Sequence, residues 1–191
     1  VQALKSYIQS ISPVSPSCWD AVSACFTPTK LKKGEAFIAA GQSARKLGFL
    51  EKGIMRAYYR TPDGDTYNKH FFLQPCFVGG FASLITGEPN QIIQEALTSC
   101  ELWVTDYLRF VKLYDQFPEL ERVARKLAET FFVQKEQREV DLVMLDAEKR
   151  YLKLQLTSPE LEQLIPQYHI ASYLGISATQ LSRIRKKISS Q

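Results

Sequence analysis

The sequence predicts an α+β chain in three consecutive parts: an N-terminal β-roll with flanking helices, one long connecting helix, and a C-terminal unit of helices alone. Three observations carry this. Short apolar or alternating runs punctuated by glycine crowd the stretch from Lys32 to Asp106. From Phe117 to Leu145 there is no glycine at all, and beyond Asp146 apolar residues recur at helical spacing.

The elements follow in order. Leu4, Ile8 and Ile11 have helical spacing, so one or two short helices are expected to pack on the roll. The segments "GEAFIAAG", "KLGFLEKG", "IMRAYYR", "TYNKHFF" and "CELWVTDY" read as strands. Between two of them, "TPDGD" is a turn in which Pro62 presets φ and Gly64 supplies a positive φ. Strands this short and this close fit a β-sandwich or a jelly-roll-like double-stranded β-helix, assigned to residues 1–116.

Residues 117–145 are read as the connecting helix, with Pro118 in the first turn, where its missing donor is not needed. Leu120, Ala124, Leu127 and Phe131 line one face. A helix so long exceeds what the roll can cover, so this stripe is expected to be a dimerisation seam with a second copy; the alternative is a helix that simply covers the roll in a monomer. Gln134 and Arg138 interrupt the heptad pattern.

Within residues 146–191 the stretch "HIASYLGISATQLSRIR" is the most informative. Ile170, Leu174, Ile176, Leu181 and Ile184 suit two short helices crossing over one core, with Ala171 allowing close approach and Gly175 a left-handed bend. Ser177 is placed to cap the second helix, and Gln180 completes a capping box. With Leu181 and Ile184 inward, Ala178, Thr179, Ser182, Arg183 and Lys186 form a small, polar, basic outer face. Such a face suits the major groove of DNA: Ser177 and the helix N-terminus hold a phosphate, and Arg183 reaches a guanine edge. Arg185, Lys186 and Lys187 read as phosphate contacts, and Gln167 and Tyr168 at the start of the first helix complete the DNA-facing set. The plainer alternative is a generic helical hairpin with a solvated basic end.

Composition sets bounds on these readings. With 191 residues and 45% hydrophobic content the chain can bury one large core, or a medium and a small one. No apolar run approaches the roughly 20 residues that span a bilayer, and the N-terminus lacks a signal-peptide layout, so a cytoplasmic protein without membrane contact is expected. A net charge of +4 is compatible with nucleic acid without requiring it. Cys18, Cys25, Cys76 and Cys100 are scattered and read as free thiols, not as a disulfide framework, an iron–sulfur ligand set or a metal site. With two histidines in different parts of the chain, no nucleophile elbow and no phosphate-cradling glycine loop, no enzymatic activity is expected.

The order roll, long helix, paired helices, with "FLEKGIMRAYY", "FVGGFASLITGEP", "EKRYLKL" and "IASYLGISATQLSRIRKK", resembles the Crp/Fnr family of bacterial transcription regulators, and most closely its Bacteroidetes branch. The resemblance implies a cyclic-nucleotide-binding-like roll, a C-terminal helix-turn-helix, and a homodimer that binds a roughly palindromic operator and recruits or blocks RNA polymerase. In the recognition helix the family's serine, variable residue, frequent glutamate and arginine fall on Ser177, Ala178, Thr179 and Arg183. Thr179 in place of glutamate implies an altered operator. Only six residues follow Arg185, which leaves no room for the β-hairpin wing of many members.

The effector segment "FVGGFASLITGEPNQIIQEAL" departs further. Gly80 stands where nucleotide-binding members have a glutamate for the ribose, and no arginine lies near Asn90 and Gln91 to neutralise a cyclic phosphate. Cyclic AMP is therefore not expected as cofactor. Phe77, Gly79, Gly80, Phe81, Leu84, Asn90 and Gln91 are the expected pocket for another small effector, if one exists, and the two glycines are equally readable as turn residues. The rival function is a small-molecule-binding module that acts through a protein partner instead of DNA.

Overall fold

The computed structural model describes residues 1–73 and 75–190. Two helices, α1 (Gln2–Ile11) and α2 (Pro16–Ser23), lead into two four-stranded antiparallel sheets. One sheet has the order β1 (Thr27–Leu31), β8 (Cys100–Asp106), β3 (Lys46–Lys52), β6 (Cys76–Val78). The other runs β2 (Ala36–Ile38), β7 (Ile93–Ala96), β4 (Ile54–Arg60), β5 (Thr66–Leu73), and a short helix α3 (Phe81–Thr86) lies between β6 and β7 in the chain. Leu50, Met55, Val78, Ala96, Cys100, Leu102 and Val104 form the core of this jelly-roll-like unit. The β4–β5 hairpin turns at the expected place: Thr61 donates its N–H to Asp65 at 2.8 Å, and Gly64 has φ +92°. Strands β1, β6 and β7 were not anticipated. They are short, and β1 carries Pro28 at an edge, where a missing donor is tolerated.

Outside the first sheet, α1, α2, α4 (Tyr107–Val111) and the start of α5 (Pro118–Met144) share a second core built on Leu4, Ile8, Trp19, Phe49, Phe110, Leu120 and Val123. Each fully buried side chain of this kind contributes about 1.5–3 kcal/mol. Ser15 caps α2 and donates to Glu119 at 2.7 Å, and Lys126 donates to the Ile11 carbonyl at the end of α1 at 3.2 Å. The first turns of α5 are thereby fixed to the N-terminal helices.

This packing corrects the expected dimer seam. Leu120 is only 1% exposed and Leu127 packs on the same core, while Ala124 and Phe131 turn toward the roll. At 100° per residue the opposite side of α5 carries Val133, Val140, Val143 and Met144, all exposed, with Phe132 at the border, where it also lines the cavity against the roll. The expected stripe covers the chain's own roll, and a different stripe stands free.

The C-terminal part consists of α6 (Ala147–Thr157), α7 (Leu161–Leu164), α8 (Gln167–Leu174) and α9 (Ala178–Ser189). Its core of Tyr151, Leu154, Leu161, Ile165, Ile170, Leu174 and Leu181 is continuous with Ile54, Phe71 and Leu97 on the outer face of the second sheet. That explains why five consecutive residues of β4, Ile54 to Tyr58, are buried: one face meets the roll interior and the other meets α8. Arg150 joins the helices, donating to the Leu174 carbonyl at 3.0 Å and to the Leu145 carbonyl at 2.5 Å. Among the described residues no helix is long and apolar enough to cross a membrane.

Candidate nucleic-acid interface and roll cavity

Helices α8 and α9 meet at Gly175, whose φ of +71° and ψ of 32° are left-handed. Gly175 donates to Ser172 and Ile176 donates to Ala171, a pair that closes the C-terminal carbonyls of α8. Ser177 then starts α9: Gln180 donates its N–H to Ser177 Oγ at 3.2 Å, and Ser177 donates its N–H to Gln180 Oε1 at 2.9 Å. With Leu181 fully buried, Ala178, Thr179, Ser182, Arg183 and Lys186 are all exposed. Arg183 and Lys186 have no ion-pair partner among the described residues.

Two of the expected phosphate contacts are engaged within the chain. Arg185 is half-buried and pairs with Glu162 at 3.6 Å, and Lys187 reaches Glu148 at 2.6 Å. Glu162 also accepts the Tyr151 hydroxyl at 2.7 Å, which holds its carboxylate on the Arg185 side. Tyr168 is exposed, and its ring lies 4.2 Å from that of His169; Gln167 is half-buried.

The α8–α9 pair is joined to the roll by polar contacts between residues far apart in sequence. Asn68 donates its backbone N–H to Ser172 Oγ at 2.9 Å, and Ser172 donates to the Thr66 carbonyl at 2.9 Å. The Asn68 side chain donates to the His169 carbonyl at 3.0 Å. Buried Arg56 contacts His169 Nδ1 at 3.1 Å and pairs with Glu95 at 3.2 Å, and Glu95 accepts the Tyr58 hydroxyl at 2.9 Å. Arg138 of α5 stacks 3.7 Å from the Tyr173 ring centroid and donates to the Tyr173 carbonyl at 2.8 Å.

On the other face of the second sheet, a cavity of about 740 Å³ opens between the roll and α5. In sheet register, Ala57 stands opposite both His70 and Gln94, so the three form one row across β5, β4 and β7. A register shift between Ala57 and Tyr58 makes Lys69 a bulged residue, and Lys69 and His70 both line the cavity. His70 keeps solvent contact through the cavity, yet the protein around it pushes its pKa down to about 4, by desolvation first and then by Arg138 and Lys69. Lys69 is also held below the usual lysine value, by desolvation and by the cations of Lys135 and Arg138, against a smaller opposing effect of Glu139. Gln94 donates Nε2 to the Gly79 carbonyl at 2.7 Å, which fixes its amide orientation, and its buried Oε1 has no partner.

Of the expected pocket residues, Phe77, Gly79, Gly80, Phe81 and Asn90 line this cavity. Two are corrected: Gln91 is exposed outside its wall, and Leu84 lies buried behind Gly79. A Cβ on Gly80 would meet Asn90 Oδ1 and Ile38 Cδ1 at 2.8 Å, so a side chain there requires those groups to shift. Asn90 in turn donates Nδ2 to the Ala39 and Ile92 carbonyls. Lys69, Ala57 and Gln94 carry no local sequence signal of a site, and His70 falls within the expected strand "TYNKHFF". Strict alternation would put Lys69 and His70 on opposite faces, and only the bulge brings them together.

Comparison with known proteins agrees with this architecture. Residues 28–117 match the cyclic nucleotide-binding domain. The c-di-GMP-responsive global regulator CLP of Xanthomonas campestris is similar in structure at 18% identity, with a TM-score of 0.72 over 92% of each chain. FixK2 of Bradyrhizobium japonicum superposes with a TM-score of 0.75 at 17% identity, over 87% of this chain and 85% of its own. A transcriptional regulator of the crp/fnr family from Eubacterium rectale gives 0.73 at 15% identity, over 93% and 84%. No curated protein matches the sequence. The cyclic nucleotide-binding domain accounts for most of the roll, and the structural likenesses establish the fold of the whole chain.

Proposed function

We propose that the chain is a sequence-specific, DNA-binding transcription regulator of the Crp/Fnr type that acts as a cytoplasmic homodimer. The observation that carries this reading is the outer face of α9, which is capped, exposed, small and basic. A helix of this kind enters the major groove with its N-terminus on a phosphate and Arg183 on a guanine edge, while Lys186 meets the backbone. The exposed stripe of Val133, Val140, Val143 and Met144 supplies the seam for a second copy, which would set the two α9 helices about one helical turn apart on an operator. RNA polymerase is then the partner recruited or blocked from that site.

The roll is the sensor in this reading, and cyclic AMP is not its effector. At Gly80 a ribose-binding carboxylate is absent, a side chain there would have to displace Asn90 Oδ1 and Ile38 Cδ1, and Asn90 already donates to two backbone carbonyls. An anionic phosphate at that loop would be buried without a cation. The decisive experiment is enrichment of a randomised duplex library on the purified protein, repeated with Arg183→Ala. The expected result is a two-fold symmetric motif with one base pair per half-site relaxed by the substitution, a loss of about 1–3 kcal/mol of discrimination. Absence of any enriched motif would sink the reading.

A further inference from the structure

The cavity holds features that the DNA-binding reading does not use. Across the sheet, Ala57 separates His70 from Gln94, so these two backbones lie about 10 Å apart, two strand spacings. At the β5 end three cations, Lys69, Lys135 and Arg138, line one wall. Arg138 is held by Tyr173 and Lys135 lies 4.0 Å from Glu139, whereas Lys69 makes no ion pair among the described residues and lies 6.0 Å over the face of Tyr59. At the β7 end Gln94 Oε1 is a buried acceptor without a donor, an arrangement that costs stability unless something supplies the missing hydrogen bond. Phe72, Phe77, Val78, Ile92, Leu127 and Phe131 supply apolar wall, and the lining along α5 also includes Glu121, Arg125 and Gln134. At about 740 Å³ the space lies within the range of small-molecule sites.

We propose that this cavity binds an amphipathic monoanion: a hydrophobic, preferably aromatic acid whose anionic group meets Lys69 and Arg138 and whose far end carries an N–H or O–H donor for Gln94 Oε1. This assignment rests on the reading of the roll as a sensor domain and names the chemical class it senses. The acid relieves the mutual repulsion of the cation cluster, which sits on β5 and α5 and not at the Gly79–Phe81 loop. The donor satisfies the one open valence of the opposite wall. Ala57, carrying only a methyl group, leaves the passage between them open.

The fluorescent probe 2,6-toluidinonaphthalene sulfonate has this layout, with a sulfonate and an N–H at opposite ends of an aromatic body; N-phenyl-2-naphthylamine lacks the acid. Titration of the full-length protein is expected to show saturable binding of the sulfonate, one per chain. Lys69→Met should weaken the sulfonate about tenfold and leave the neutral amine unchanged, with Lys69→Arg restoring binding. Gln94→Leu should weaken both probes several-fold, with thermal melts confirming that each variant is folded. Failure of the sulfonate to bind, equal binding of both probes with no effect of Lys69→Met, or displacement of the sulfonate by equimolar cyclic AMP would each overturn the assignment. Library enrichment on duplex DNA is read separately. A protein that selects an operator yet ignores the sulfonate loses only the cavity assignment, and one that binds the sulfonate yet selects no duplex loses only the DNA-binding reading.

Discussion

His169 Nδ1 faces the Arg56 guanidinium at 3.1 Å, with the Asn68 amide nitrogen at 3.3 Å, so both neighbours of that ring nitrogen are donors. Nδ1 must therefore be an acceptor, and the ring is neutral with its proton on Nε2. Protonation would place a second cation against a buried arginine. The contact ties α8 to β4 and β5, so this part of the joint between α8 and the roll depends on an uncharged imidazole, beside the Asn68–Ser172 and Arg138–Tyr173 contacts.

Acid should loosen this joint. The His169 pKa is pushed down to about 4 by desolvation and then by Arg56 and Lys33, with Glu95 opposing; His70, in the cavity, is likewise held near 4. Between pH 6.5 and 4 the unfolded chain therefore binds more protons than the folded one, and stability falls as pH falls through that window. Above 6.5 the effect is absent, and below about 4 no further loss accrues from these groups. Each histidine contributes a slope of at most about 1.4 kcal/mol per pH unit, less where solvent screens it. Urea melts across pH 4–7 should show the decline, and His169→Gln should remove part of it. A flat profile over that range would contradict the neutral assignment.

Two glycines with left-handed backbone should respond very differently to alanine. Gly175 has φ +71° and open space around the missing Cβ, so Gly175→Ala carries only the backbone cost of about 1 kcal/mol. Gly53, between β3 and β4, has φ +103°, and a Cβ there would lie 2.5 Å from the Ser99 carbonyl oxygen and 2.6 Å from Cys100 Sγ. Backbone must move to admit it, and Gly53→Ala should cost about 3 kcal/mol or more. Denaturation midpoints of the two variants compare them directly, and equal losses would refute the close approach at Gly53.

What the sequence disclosed and what it concealed follow from the range of the interactions. Gly175, Ser177 and Gln180 act on neighbours within five residues, so the turn between α8 and α9 was legible to the residue. The α5 boundaries were read within one residue because Pro118 and the lack of glycine are local signals. The facing of α5 was not legible: Leu120 and Val133 are both apolar, and only the docked roll decides which side is covered. In the cavity, His70 and Gln94 become neighbours of Ala57 through strand pairing, and the bulge at Lys69 reverses the expected alternation. The joint of Arg56 with His169 spans 113 residues and left no local trace.

Lys187 shows how the C-terminal helices restrain their own charge. It meets Glu148 of α6 at 2.6 Å, and the carboxylate raises its pKa, so in the free protein this cation is neutralised at the edge of the face assigned to DNA. An exposed pair of this kind is weak and gives way when a phosphate competes, but the competition reduces the net affinity that Lys187 adds. Glu148→Gln should release Lys187 and steepen the dependence of DNA affinity on salt, by up to about 0.9 in the slope of log K against log salt for each additional phosphate neutralised. Lys187→Met should then weaken the Glu148→Gln protein more than the parent, the excess being the restraint that Glu148 imposes. Binding isotherms at several salt concentrations on a fixed duplex measure all four members of this cycle. If Glu148→Gln leaves the slope unchanged, Lys187 lies off the DNA path, and the backbone contacts on that side fall to Lys186 and Arg183.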